Sequence, residues 1–457
     1  MSRSFDAIVI GAGQAGPPLV GRLATSGKTV ALIERKLIGG TCVNMGCTPT
    51  KALVASAYAA RTARRAAEYG VAIGGAVGVD MKAVMERARG IARHSRESNE
   101  SWLGSLDRCT VIHGHASFVS PREVHVGDDV LTSDQIFLNV GGRAVVPELP
   151  GVDRIPYLTN TSILELETLP RHLVVIGGSY VGLEFAQIFR RFGSDVTVIE
   201  KGARLVARED EDISSAIKAI LQAEEIVIRL NAECIRFDMR GEDVVVGVDC
   251  STGAPEIIGS HVLLAVGRRP NTDDLGLDRA GVTVDARGFI VVDDQLRTNV
   301  GGIWAMGDCN RRGAFTHTAY NDFEIVAANV LENDPRRVSD RIEAYALYTD
   351  PPLGRVGMTE RAARAAGHTT RVGTRPMTRV ARAIEKGETS GFMKMVVDAE
   401  SGQMLGAAIL GVGGDEAIHA VLEIMYARAP YATLQRSVPI HPTVAELIPT
   451  VLGELKP

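Results

Sequence analysis

Cysteine is scarce in this chain: six residues, at positions 42, 47, 109, 234, 250 and 309, are spread over 457. So few, so scattered, exclude the disulfide framework of a small secreted domain. Charge bias is missing as well. Lys and Arg total 50 against 55 Asp and Glu, a formal charge of −5, which gives no electrostatic footprint for nucleic acid. Long apolar runs are also absent, with no charge-free stretch approaching the roughly 18 residues that would suggest a membrane span. The opening MSRSFDAIVIGAG lacks the basic and apolar regions of a secretory signal, so the expected location is the cytoplasm. What remains, 45% hydrophobic and 23% charged over a length suited to about three domains, describes an ordinary globular protein with large cores.

Two stretches share one pattern. FDAIVIGAGQAG (5–16) reads as an apolar strand running into glycines, followed by a helix whose first turn takes Pro17 and Pro18, where a missing N–H costs least. Gly11, Gly13 and Gly16 form G-x-G-x-x-G, the turn that brings backbone close to a pyrophosphate and packs helix on strand. The strand TVALIE then ends at Glu34, 23 residues after Gly11. LVVIGGSYVG (173–182) and DVTVIE repeat this with Gly177, Gly182 and Glu200 at a constant offset of 166. One such motif is weak evidence; two in register imply two dinucleotides.

The second copy carries Ser179 in place of the middle glycine, and its Cβ should loosen the approach to the pyrophosphate only slightly. Both terminal acids suit a ribose 2′-hydroxyl and repel a 2′-phosphate, so Glu200 favours NADH over NADPH, with Lys201 and Arg204 nearby as the opposing signal. Further on, SHVLLAVGRRPN ends a strand at Gly267. GGIWAMGDCN ends another at Gly307 and Asp308, where the Asp either bonds a ribityl chain or holds a turn.

GGTCVNMGCTPTK (39–51) places Cys42 and Cys47 five apart, just after the first acidic strand end. A lone C-x4-C is not a usual structural zinc half-site and no second pair stands at ligand spacing, so no metal site is expected. A structural disulfide and a redox couple both remain open. The alanine-rich helix that follows puts Cys47 in or near a first turn, where unpaired amides and Lys51 favour the thiolate that disulfide exchange requires. Cys109, Cys234, Cys250 and Cys309 read as small core residues. Near the end, PIHPTVAELIPTVLG offers His441, able to exchange protons near neutrality, and Glu446, either its carboxylate partner or the last member of a capping box begun by Thr443.

With these motifs assembled, GGTCVNMGCTPTK, AVGRRPN, MGD and HPTVAE, the sequence closely resembles the class I pyridine nucleotide-disulfide oxidoreductases over essentially its whole length. The resemblance implies an α/β fold with two Rossmann-like domains, for FAD and NAD(P), plus a C-terminal α+β dimerisation domain. The segments expected are 1–147 (FAD, first part), 148–268 (NAD(P)), 269–340 (FAD, central part) and 341–457 (interface), with connections at ELPGVDRIPYLTNTSILELETLPR and ENDPRRVSDR. It further implies an obligate homodimer with shared sites. In these, Cys42 is the interchange thiol, Cys47 the thiol beside the flavin, and His441 of the other subunit the acid–base residue oriented by Glu446. Lys51 and Glu184 match an ion pair near the flavin, and Tyr180 an aromatic covering the nicotinamide pocket. Gly11, Gly13, Gly16, Glu34, Thr41, Lys51 and Asp308 match FAD contacts. Electrons would run from NADH through FAD to the two cysteines and on to a small disulfide, metal-ion or oxidant acceptor.

Departures narrow the acceptor. The tail VLGELKP carries no cysteine, unlike the vicinal pair of well-known mercuric reductases, and Pro439-Ile440 replaces the Ala-His typical of dihydrolipoyl dehydrogenases. FTHTAYND (315–322) is most similar to a branch that includes a reactive-chlorine-resistance flavoprotein. An NADH oxidase or diaphorase that bypasses the cysteines, and a redox-sensing or complex-associated flavoprotein, are the alternatives.

Overall fold

The run AIVI at Ala7–Ile10 is wholly buried and forms the centre of a five-stranded parallel sheet. Its neighbours in order are Ile303–Ala305, Ile136–Leu138, Ala7–Ile10, Val30–Glu34 and Cys109–His113. Strands buried on both faces read as unbroken apolar runs, as these do. The helix Gly16–Thr25 starts with the prolines in its first turn and buries Leu19, Val20 and Leu23 against the sheet. The computed structural model describes residues 2–249 and 253–457; Cys250 and the side chain of Cys234, both expected in the core, lie outside the described residues.

The second copy of the pattern folds the same way. Val227–Arg229, Asp195–Ile199, His172–Ile176 and His261–Leu264 form a parallel sheet, flanked by the antiparallel strands Glu233–Arg240, Asp243–Asp249 and Glu256–Gly259. Even the register repeats: Ile10 pairs with Ile33 and Ile176 with Ile199. A third unit, a five-stranded antiparallel sheet of Ala344–Leu347, Leu353–Gly357, Met404–Leu410, Phe392–Asp398 and Thr370–Pro376, carries the C-terminal helices.

The alanine-rich helix expected after the cysteines is Cys47–Arg64, and a second helix, Met81–Gly104, follows it. They share one core with the helix Tyr180–Phe192 and with the third sheet, through Leu53, Met85, Phe185, Phe189, Leu353 and Leu410. Polar links reinforce that junction: Arg191 pairs with Glu224 and Asp350, and Lys394, almost fully buried, meets Asp210, Asp212 and Glu360. The site is thus assembled where three units meet. Of the remaining cysteines, Cys309 is buried as expected, but Cys109 is only half-buried, because it begins the outermost strand of the first sheet.

Candidate active site

The two glycine turns share their backbone geometry at the first and third glycines. Gly11 and Gly177 have positive φ (102° and 117°), and a Cβ on either would lie 2.3 or 2.4 Å from the carbonyl oxygen of Asn139 or Ala265, each just past the end of the neighbouring strand, so only glycine fits. A Cβ on Gly16 or Gly182 would meet the carbonyl oxygen of Gly11 or Gly177 at 2.2 Å. Glu34 accepts from the amides of Ala12 (2.8 Å) and Lys36 (2.7 Å); Glu200 accepts from those of Gly178 and Gly202 (both 2.7 Å). Each acid therefore braces its own glycine turn. Each carboxylate oxygen still has a lone pair for a ribose hydroxyl. Ser179 is exposed and extended (φ −120°, ψ −172°), a conformation open to any residue, which explains why serine replaces glycine there.

The first turn has further support. Gly40, which opens the short helix Gly40–Met45 containing Thr41 and Cys42, sits so close to Gly13 that a Cβ would fall 2.8 Å from the Gly13 Cα. Asp308 follows the strand Ile303–Ala305; burial pushes its pKa up, opposed by the Arg268 guanidinium with Nε at 3.4 Å. Buried Asp322 accepts from the Gly307 amide (2.8 Å) and Asn310 Nδ2 (2.9 Å) and pairs with Arg341. That carboxylate fixes the turn bearing Asp308. Gly267 (φ 137°) links the strand His261–Leu264 to Arg268–Pro270, which crosses to pair with Gly142–Ala144. A glycine cradle closed by Gly40, a ribose-facing acid and a carboxylate on a braced turn are a donor and acceptor set that fits FAD in the first cleft.

Cys47 is the first residue of the helix Cys47–Arg64, and Cys42 lies one turn back in Gly40–Met45. Both are free thiols, Cys42 half-buried and Cys47 exposed. One hydroxyl serves both: Thr316 Oγ1 is 3.0 Å from Cys42 Sγ and 3.2 Å from Cys47 Sγ. The Cys47 pKa falls to about 6, chiefly because Cys42 donates to its sulfur, with Thr316 and the Lys51 ammonium assisting against burial. Donating to Cys47, and its own burial, push Cys42 the other way. The pair is therefore a thiolate–thiol, with Cys47 charged above about pH 6 and neutralised as pH falls through that value. Lys51 Nζ lies 2.6 Å from Glu184 Oε2 on the packed helix Tyr180–Phe192 and 4.6 Å above the Tyr348 ring; Glu184 Oε1 accepts from the Tyr348 amide.

A hydrogen bond to a charged sulfur is worth more than one between neutral groups. Thr316→Val should therefore raise the Cys47 pKa by roughly one unit. Alkylation rate against pH on the reduced protein measures this directly; an unmoved midpoint would show that the hydroxyl does not serve the thiolate.

His441 and Glu446 also meet, with Nδ1 2.9 Å from Oε2. Half of the expected capping box forms, the Glu446 amide donating to Thr443 Oγ1, but the Glu446 carboxylate turns to the imidazole and not back to the cap. Nδ1–H donation leaves Nε2 as the exchangeable site. Arg382 donates twice to the carbonyl oxygen of Pro442, fixing the turn that presents the ring. Among the described residues, no hydrogen bond or ion pair joins His441 or Glu446 to the cysteines of the same chain, and the ring is exposed beside Val438 and Ile440.

Sequence reasoning did not single out Asn139, Asp322 or Thr316. The last two lie in FTHTAYND, whose departure from related sequences was the available signal.

Comparison with known proteins places this geometry. Residues 5–322 match the family model described as pyridine nucleotide-disulphide oxidoreductase, and 344–452 that family's dimerisation domain. The chain is 35% identical over 460 residues to a probable pyridine nucleotide-disulfide oxidoreductase, RclA, of Escherichia coli, covering 99% of both. It is 31% identical to a mercuric reductase of Streptomyces lividans (97% of this chain, 94% of that one) and 33% to a dihydrolipoyl dehydrogenase of Haloferax volcanii (97% and 94%). A solved structure described as the HOCl-induced flavoprotein disulfide reductase RclA superposes with a TM-score of 0.89 at 35% identity over 98% of this chain and 99% of that one; its Cu(II) complex gives 0.90 at 34% over 99% of both. The two nucleotide folds, the paired cysteines and the C-terminal sheet thus belong to one recognised assembly, and the chain is a member of the pyridine nucleotide-disulphide oxidoreductase family.

Proposed function

We propose that the protein is an NADH-dependent reductase in which the Cys42–Cys47 couple delivers electrons to a small acceptor, first a thiophilic metal ion such as Cu(II), second a small disulfide. The observation that carries this reading is the thiolate–thiol pair under one hydroxyl, beside the Lys51–Glu184 ion pair. Bound FAD supplies the two-electron link between a nicotinamide hydride and a dithiol that neither partner provides alone. Gly11, Gly13, Gly16, Glu34, Thr41, Lys51 and Asp308 would hold it, and Gly177, Ser179, Tyr180, Gly182, Glu200 and Gly267 would hold the coenzyme.

For a metal acceptor, the dithiol closes to a disulfide while two Cu(II) become two Cu(I) and two protons leave. Soft sulfur ligands suit the reduced ion, and a relative of this chain is described as a Cu(II) complex. For a disulfide acceptor, His441 takes the Cys42 proton as Cys42 attacks one sulfur and returns that proton to the departing thiolate. The Cys47 thiolate then attacks Cys42 Sγ, closing the internal disulfide and releasing the second half as a thiolate that takes its proton from water. The His441–Glu446 pair favours this second reading, because only the disulfide route needs a proton delivered to a leaving group.

Exposure of His441 and the dimerisation-domain match support a homodimer in which each His441 serves the partner's cysteines. The preference for NADH rests on Glu200, whose charge opposes a 2′-phosphate, and on Arg204, which is engaged with the Ala207 carbonyl. Among the described residues no helix is long and apolar enough to cross a membrane; the cytoplasm is the location we propose.

Anaerobic mixing of the flavoprotein with NADH or NADPH, followed by Cu(II), Hg(II), lipoamide, glutathione disulfide or a quinone, tests the proposal. Electrons should reach Cu(II) and at least one disulfide, with a lower Michaelis constant for NADH. Transfer to quinone or oxygen alone would refute it.

A further inference from the structure

Tyr180 opens its helix straight after the glycine turn, and its ring stands on two others. It meets Tyr345 edge-on (centroids 5.5 Å, 87°) and Phe315 edge-on (6.0 Å, 85°), while those two stack on each other at 5.7 Å and 13°. The buried Tyr180 Oη makes no hydrogen bond of good geometry, and the polar group that acts on it is the Tyr345 hydroxyl. Tyr345 is the opposite case. Its hydroxyl donates to Glu209 Oε1 at 2.6 Å, and Glu209, with no exposed surface, pairs with Arg355, itself 1% exposed. Tyr345 and Arg355 are directly opposed on adjacent antiparallel strands, so one carboxylate locks both ends of a cross-strand pair. Burying such an ion pair gains little stability over an apolar replacement of similar shape, whereas it does specify position.

We propose that Tyr345 is a positioning residue for the coenzyme: its ring, fixed by Glu209 and Arg355, holds Tyr180 across the nicotinamide pocket and sets how readily Tyr180 swings aside. This rests on the reading of Tyr180 as the cover of that pocket. A closed cover lowers apparent affinity by the fraction of time the site is open. Loosening the support opens the site.

The test uses the flavin-loaded protein and two half-reactions: bleaching by NADH at a series of concentrations, and reoxidation of dithionite-reduced protein by Cu(II). Tyr345→Leu should lower the apparent Kd for NADH about two- to tenfold, the equivalent of one edge-to-face contact. Reoxidation should remain within about twofold, since the dithiol is untouched. In a Tyr180→Ala background the same substitution should have no further effect, because Tyr345 acts through Tyr180. Tyr345→Phe keeps the ring and loses the hydroxyl's bond to Glu209 and its contact with Tyr180; it should shift the Kd in the same direction by less, and it decides the matter should the Leu variant lose flavin. An unchanged or raised Kd in a variant that retains flavin, or an equal effect in the Tyr180→Ala background, overturns the inference. Wild-type protein that NADH fails to bleach overturns the functional reading as well.

Discussion

Cys42→Ser is expected to bring reduction of Cu(II) and of lipoamide down to the enzyme-free rate, while bleaching of the flavin by NADH proceeds as in the wild type. Serine keeps the size of the side chain and its hydrogen bond from Thr316 but cannot form the internal disulfide, so the two electrons have no route out through sulfur. The variant also divides the candidate activities cleanly. An oxidase or diaphorase passes electrons to oxygen or quinone without the thiols and would keep its turnover. Steady-state rates with each acceptor, measured beside the bleaching rate on the same preparation, give the answer. Undiminished Cu(II) and lipoamide turnover would remove the cysteine couple from the mechanism.

His441→Ala should separate the two acceptor classes. General acid–base catalysis contributes about 10²- to 10⁴-fold, and a loss of that size is expected for lipoamide. The resting charge sits on Cys47, and Cys42 is held protonated by its bond to that sulfur. Cys42 therefore needs a base before it can attack, and the departing thiolate needs an acid. Cu(II) accepts electrons without a leaving group, so its reduction should fall far less. Equal losses with both acceptors would mean that the imidazole does something other than move this proton. Glu446→Gln should give a smaller defect of the same pattern, since it weakens the orientation of the ring and not the ring itself.

Much of this site was legible locally. The glycine turns, their terminal acids and the position of Cys47 at a helix start follow from short-range spacing, and the constant offset of 166 turned a weak motif into a strong one. Long-range partners were not legible. Thr316 meets sulfurs 274 and 269 positions away, Tyr345 meets Glu209 at 136, and Asn139 backs Gly11 at 128. None of those distances leaves a periodic trace in sequence. Glu446 illustrates the limit differently: its spacing from Thr443 suits a cap, and the amide half of that cap forms, yet the carboxylate went to an imidazole that spacing alone could not rank above the backbone. At the second glycine motif, serine is expected to loosen the approach to the pyrophosphate only slightly, and its extended backbone gives the reason, since nothing there calls for glycine.

The edge strand Ile303–Ala305 pairs with Ile136–Leu138 across more than 160 positions, while the second parallel sheet lies wholly between them. On the ribosome the order of maturation is therefore inverted. The later unit has all of its own strands once synthesis passes residue 264, but the earlier one waits with an unpaired margin until some forty further residues emerge. An exposed strand margin is a template for mispairing, so the nascent chain is most vulnerable to aggregation during that interval, and a chain terminated within it would carry the hazard permanently.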